Sequence, residues 1–240
     1  MQSIINEIHF YNFRSMSLDY EAWTATRIPS AFAKVIGVSN DIANMLSTTK
    51  VDRDYLKSLC ANPSVSSEIA FISIMAWGGM KYKHGRLSWP HRKEIMPIID
   101  EIRSGTITRS ESYARFQNFR LKTKGSGLGP AFFTKIIFFG HPRHDGYIMD
   151  QWTSLGINLL FSNQPEPIVK MSTGYYRQSR FDSVTDQNTE RNFEDFCEKI
   201  ESISGLLDIS AEDVELRLFS NGGHKPGPWR QYVKEQRCSP

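Results

Sequence analysis

Two helical patterns meet across Lys122-Thr123-Lys124-Gly125-Ser126-Gly127-Leu128-Gly129-Pro130, and this glycine-rich break constrains the fold more than any other stretch of the chain. Thr108-Arg109-Ser110-Glu111 has the spacing of a capping box, and the helical period that follows runs to Leu121. Pro130 to Phe139 reads as an apolar helix with proline in its first position, where the missing N–H costs nothing. Glycines on both sides of Leu128 permit a tight reversal with the backbone exposed. The N–H groups of the turn and of the next helix's start then point outward as an anion site. Leu128 would plug inward and tie the two helices together. A hairpin of this kind can hold one nucleic-acid strand by its phosphates without reading bases. Lys122 and Lys124 would add charge beside Gly125, Ser126, Gly127 and Gly129. A plain αα-turn accommodates the same residues.

The rest of the chain is mostly helical in pattern. Asp52 to Ala61 is a short amphipathic segment ended by Asn62-Pro63. Ser66 to Met80 is apolar nearly all round, as a central buried helix must be, and closes at Gly78-Gly79. Helices are also expected over Pro90–Arg103, Asp150–Phe161, Gln187–Ser204 and Ala211–Phe219. The stretch from Ser162 to Ser183 reads as a polar loop. The expectation is a mainly α fold, with a small β element allowed for near the N-terminus, where the first fifty residues are ambiguous. The tail from Gly222 to Arg230 suits a mobile clamp or disorder.

Charge is unevenly spread. The formal net charge is +3, yet Asp186 to Arg217 holds ten acidic residues against three basic ones. That stretch is −7 and the remainder is +10, a basic body with an acidic helical part, which favours a polyanionic partner. Lys81 to Lys93 adds a run of basic residues and histidines interleaved with Tyr82 and Trp89 and free of acids. Read as a loop, it could follow a phosphate backbone or simply be solvated. No apolar run approaches the ~20 residues of a membrane span, and the first residues lack the basic start of a signal peptide. Three scattered cysteines, Cys60, Cys197 and Cys238, suit a reducing cytoplasm. They are too few for a four-cysteine iron–sulfur cluster. His141, Arg143 and His144 raise the thought of a metal but fit a solvated connection better, so no metal and no cofactor are expected.

Asp150 stands 21 residues after Gly129, in Tyr147-Ile148-Met149-Asp150-Gln151-Trp152, and opens a helix. It can be an N-cap, a reactive acid, or both, because a helix N-terminus favours an ionised carboxylate. Hairpin, following helix and an aspartate about twenty residues on resemble the helix-hairpin-helix/Gly-Pro/Asp superfamily of base-excision DNA glycosylases. Gly127-Leu-Gly-Pro-Ala-Phe-Phe-Thr-Lys135, Tyr147-Ile-Met-Asp-Gln-Trp152, the Ala76-Trp77-Gly78 corner and Tyr113-x-x-Phe116 resemble the bacterial 8-oxoguanine-glycosylase-like family within it. The resemblance spans roughly Ser66 to Leu160.

The resemblance implies a helix-hairpin-helix DNA glycosylase-like helical fold, taken as a single unit over 1–240. The hairpin lies near 109–139 and the acidic helical part near 186–219. It implies an enzyme that flips a nucleotide out of double-stranded DNA and cleaves its N-glycosidic bond. Asp150 would stabilise the cationic sugar and orient the nucleophile, as a glycosidase carboxylate does. Gly127 and Gly129 amides would hold the phosphate beside the lesion. Trp77, Gln151 and Trp152 are candidates for the base pocket, and core packing is the other use of the two tryptophans. The chain departs from the family pattern at two places. Bifunctional members carry a Schiff-base lysine two residues after the last hairpin glycine, where this chain has Ala131. Lys135, one turn later on the same face, could substitute as a depressed-pKa amine among phenylalanines or could snorkel to solvent. The usual Leu-Pro before the hairpin is replaced by Gly125-Ser126. The resemblance points to an oxidised purine such as 8-oxoguanine as the excised base, in DNA repair by a cytoplasmic monomer. The alternatives are removal of hypermodified bases from viral DNA as antiviral defence, and a non-catalytic DNA-binding module.

Overall fold

The computed structural model describes residues 5–16, 26–176, 179–220 and 227–238. Among these, the helices are α1 (Glu7–Ser15), α2 (Pro29–Ile36), α3 (Asn40–Asn44), α4 (Arg53–Ala61), α5 (Ser67–Trp77), α6 (Tyr82–Ser88) and α7 (Arg92–Arg103). They continue with α8 (Arg109–Lys122), α9 (Pro130–Gly140), α10 (Gln151–Leu160), α11 (Glu190–Leu207), α12 (Ala211–Phe219) and α13 (Pro228–Cys238). Two strands, β1 (Met171–Tyr176) and β2 (Ser179–Val184), lie between α10 and α11. The fold is mainly helical. No helix among the described residues is long and apolar enough to cross a membrane. The chain forms two compact units, one spanning Ala22–Tyr147 and the other built from Met1–Glu21 with Ile148–Pro240.

In the unit 22–147, α5 is the centre. Ser66 caps it by accepting the Ile69 N–H, and Ala70 through Trp77 are all buried. A helix apolar on every face can be stable only with neighbours all round, and α2, α4, α7 and α9 supply them. Aromatic rings fill the space between α8 and α9: Tyr113 meets Phe133 edge-on at 4.9 Å and Phe116 stacks on it at 5.3 Å. The capping box at Thr108 and Glu111 is present in both directions, and Asp52 caps α4 through the Tyr55 N–H.

In the other unit α10 is central, packing against α1, α11, α12, α13 and β2. The two strands pair antiparallel, from Met171 opposite Val184 to Tyr176 opposite Ser179.

Several expectations are corrected. The β element lies at 171–184, almost all of it within the stretch read as a loop, while the described N-terminal elements are helices. The strands escape an apolar alternation because the pair buries a polar residue: Asp182 is buried and accepts from Thr173 Oγ1 at 2.6 Å. Lys81 to Lys93 is helical, not a loop, with a short 3-10 turn (Trp89–His91) joining α6 to α7. Trp89 is buried and stacks over Phe71, and Tyr82 stacks on Phe32 under Arg27. Trp89 therefore serves the core, and half-buried Tyr82 packs against it. His141 is also buried, with Nε2 3.1 Å from the Ile107 carbonyl and Nδ1 3.1 Å from an Asp145 carboxylate oxygen. Of the tail, 221–226 lie outside the described residues, and Pro228–Cys238 is helix α13.

Candidate active site

The turn between α8 and α9 is built on backbone geometry that only glycine adopts readily. After Lys122 the Thr123 N–H returns to the Phe119 carbonyl at 2.9 Å, and the Ser126 N–H to the Thr123 carbonyl at 3.2 Å. Gly125 and Gly127 both lie in the left-handed region, at φ +82° and +74°. At Gly127 the backbone also runs directly against α6: a Cβ there would sit 2.5 Å from the His84 carbonyl oxygen. Leu128 is fully buried, as the plug reading requires, and its carbonyl accepts from Arg120 Nη1 at 2.8 Å. Gly129 is the N-cap of α9 at φ −81°, and its carbonyl receives the Phe132 and Phe133 N–H groups. The N–H groups of Gly127, Leu128 and Gly129 donate to no backbone carbonyl among the described residues. Lys122, Lys124 and Gly125 are exposed. Ser126 is different: its side chain is buried, and its N–H is used inside the turn. Its contribution is to the turn itself.

His84 borders this turn, which sequence reading did not anticipate. Its ring stands edge-on to Phe132. Burial, and then the like charges of Lys81 and Lys83, hold its imidazole below the usual histidine range. It is therefore predominantly neutral at pH 7, and the exposed Lys81 and Lys83 carry the charge of this corner.

Lys135 does not snorkel. Helical side chains lean toward the helix N-terminus, and here that lean carries Nζ back one turn, to within 2.5 Å of the Ala131 carbonyl. The residue is only 7% exposed. Its stem packs against Gly78, where a Cβ would fall 2.7 Å from Lys135 Cδ. Nζ lies 5.5 Å from the Phe132 ring centre. The structure thus joins Lys135 to the Ala76-Trp77-Gly78 corner. Trp77 itself is buried, edge-on to Phe139 at 4.9 Å, with Arg53 over its ring at 5.6 Å.

Asp150, Gln151 and Trp152 belong to the other unit. Asp150 caps α10 with one oxygen: Oδ1 accepts the Trp152 N–H at 2.8 Å and the Thr153 N–H at 3.1 Å. Thr153 Oγ1 takes the Asp150 N–H at 3.0 Å and closes a reciprocal box. Oδ2 accepts no hydrogen bond among the described residues. The cap therefore uses one oxygen of the carboxylate. Gln151 and Trp152 are half-buried. The Trp152 ring is covered by two cations of α13, Arg230 with its guanidinium carbon 4.6 Å away and Lys234 at 5.4 Å. The signal for them was present as Pro228 followed by two basic residues one helical turn apart, but the surrounding glycines and prolines masked it.

No curated protein matches the chain, and no solved structure does either. A family model does, over residues 15–219, from the last residue of α1 to the last residue of α12. Its description is "Putative 8-oxoguanine DNA glycosylase OGG-like protein", the mainly helical fold is consistent with it, and the chain belongs to this family of 8-oxoguanine DNA glycosylase-like proteins.

Proposed function

We propose that the protein excises an oxidised purine of the 8-oxoguanine kind from double-stranded DNA, acting on a nucleotide flipped out of the stack. The observation that carries this is the divided carboxylate of Asp150. Asp, Asn and Ser all cap a helix, and of the three only Asp brings a negative charge to the site. An ionised carboxylate with one oxygen clamped and one unused is suited to a cationic transition state. As the base departs with the bonding electron pair, positive charge grows on C1′ and the ring oxygen. A fixed negative charge stabilises it without reorganising.

In this reading the α8–α9 turn works as a helix-hairpin-helix, its amides at Gly127, Leu128 and Gly129 donating to a phosphate and Lys122 and Lys124 adding charge. That division suits a repair enzyme, because backbone contacts hold any sequence and leave discrimination to the base. Lys135 would supply the lyase step. Its nitrogen bonds C1′ as the base leaves. Loss of a proton and opening of the sugar ring give an imine, and β-elimination then cuts the strand. The observation behind that assignment is the buried amine turned back toward Ala131.

The test is incubation with duplexes carrying different modified bases, natural viral DNA included, with the released base identified by mass spectrometry. Release of 8-oxoguanine by the wild type and a loss of about 10²-fold or more in Asp150→Asn is the expected result. Asn retains the capping oxygen, so stability should change little. Release of a hypermodified base alone would make the protein an antiviral glycosylase. Release of nothing from any duplex would leave a DNA-binding module and end the catalytic reading.

A further inference from the structure

We propose that Arg230, on α13 and beyond the residues that the family model matches, is a positioning residue for Asp150 that acts through the Trp152 indole; this rests on the catalytic role proposed for Asp150. The helix that carries Arg230 is fastened at both ends. Near its start, Trp229 is buried, lies edge-on to Phe13 at 4.8 Å and fits against Gly156 of α10, where a Cβ would come within 2.9 Å of its Nε1. In its last turn, Arg237 pairs with the buried Asp182 of β2, which also receives Thr173 and faces Arg180. Arg230 is held between these anchors.

The guanidinium lies against two aromatic rings. Its carbon lies 4.6 Å from the Trp152 ring centre and 5.0 Å from that of Phe219, and Nη2 donates to the Phe219 carbonyl at 2.7 Å. Only 5% of the residue is exposed. A buried cation is costly unless it is paired or otherwise compensated, and two aromatic faces plus one carbonyl satisfy it only in part. Nε has no hydrogen-bond partner among the described residues. Burial lowers the pKa of Arg230, and the charge that opposes this is that of Asp150. The chain of contact is short: guanidinium on indole, and the N–H of the same tryptophan on Asp150 Oδ1 at 2.8 Å. A cation over Trp152 thus holds the residue whose N–H binds the carboxylate, and the opposite charges of Arg230 and Asp150 attract. Lys234, one turn further on, covers the same ring at 5.4 Å.

The experiment compares Arg230→Met, which keeps an apolar stem, and Arg230→Lys, which keeps a cation, with the wild type and Asp150→Asn. An 8-oxoguanine duplex is the substrate. Single-turnover excision with enzyme in excess gives the rate constant, duplex affinity is measured separately, and thermal melting reports folding. Arg230→Met should lose roughly tenfold or more in the rate constant, given how steeply rate depends on placement, with affinity within about twofold of wild type. Arg230→Lys should recover most of the loss. Arg230→Gln is the second neutral variant if Met does not fold. A folded neutral variant with the wild-type rate constant overturns the proposal, as does a loss shared equally by affinity and not restored by Lys. If Asp150→Asn itself excises normally, it is the role of Asp150 that fails, and the two failures are told apart in one set of measurements.

Discussion

The three glycines of the α8–α9 turn should respond to alanine in a fixed order, because the structure gives each a different reason to be glycine. At Gly129 φ is −81° and nothing stands within 4 Å of the place a methyl group would take. Alanine there loses some N-cap preference but restricts the unfolded chain, and the two effects offset to within about 0.5 kcal/mol. Gly125 has the same open space but φ +82°, so Gly125→Ala should cost about 1 kcal/mol for the left-handed backbone. Gly127 combines φ +74° with a Cβ position 2.5 Å from the His84 carbonyl oxygen. Neither backbone can yield cheaply, and overpacking adds about 2 kcal/mol to the left-handed cost, giving about 3 kcal/mol in all. At about 2–4 °C per kcal/mol for a chain of this size, Gly127→Ala should melt about 6–12 °C lower and Gly125→Ala about 2–4 °C lower. Gly129→Ala should be nearly unchanged. Thermal unfolding by circular dichroism reads the series directly. Equal losses at Gly125 and Gly127 would refute the argument that α6 pressing on the turn demands glycine, and a large loss at Gly129 would refute the geometry of the cap.

Borohydride added during turnover should trap a covalent protein–DNA adduct through Lys135, and Lys135→Gln should abolish it; near-normal base release without any wild-type adduct would leave water as the nucleophile. Replacing both Lys122 and Lys124 by Gln should weaken duplex binding and flatten its salt dependence by about one unit of slope per lost phosphate contact, for damaged and undamaged DNA alike, and an unchanged slope would place the contacts elsewhere. Burial pushes the Cys60 thiol up to about 12 from 9.0, with Arg103 opposing. It should therefore resist alkylation at pH 8 until the protein unfolds, which mass-spectrometric mapping would show. Because the folded value is the higher one, the stability this site contributes is complete below pH 9 and falls as pH rises toward 12. Cys60→Ala should flatten that alkaline decline in urea midpoints, and an identical decline in the variant would assign it to other groups.

Local patterns were enough to place most of the helices. Capping residues name their own helix starts, because the orphan N–H groups of a first turn are satisfied by side chains two or three residues away: Thr108 and Asp150 both cap where the sequence places a helix start. Apolarity on every face was enough to make α5 central, and glycines flanking Leu128 were enough to place the turn. The family itself followed from that turn and Asp150. Tertiary structure decided whatever depends on residues distant in sequence. No local signal says that Gly127 must be glycine because His84, 43 residues earlier, lies against it. Nor does one tell that Lys135 is packed on Gly78 and turned back to Ala131, that Trp89 is buried, or that Tyr82 stacks on Phe32. The strand pair was illegible because it buries the charge of Asp182 rather than an apolar stripe, and its partner Arg237 is 55 residues away. Arg230 is the clearest case. Its segment reads as a glycine- and proline-rich tail, and only the docking of Trp229 on α10 turns it into a helix that brings a cation over Trp152, the residue whose N–H is held by Asp150.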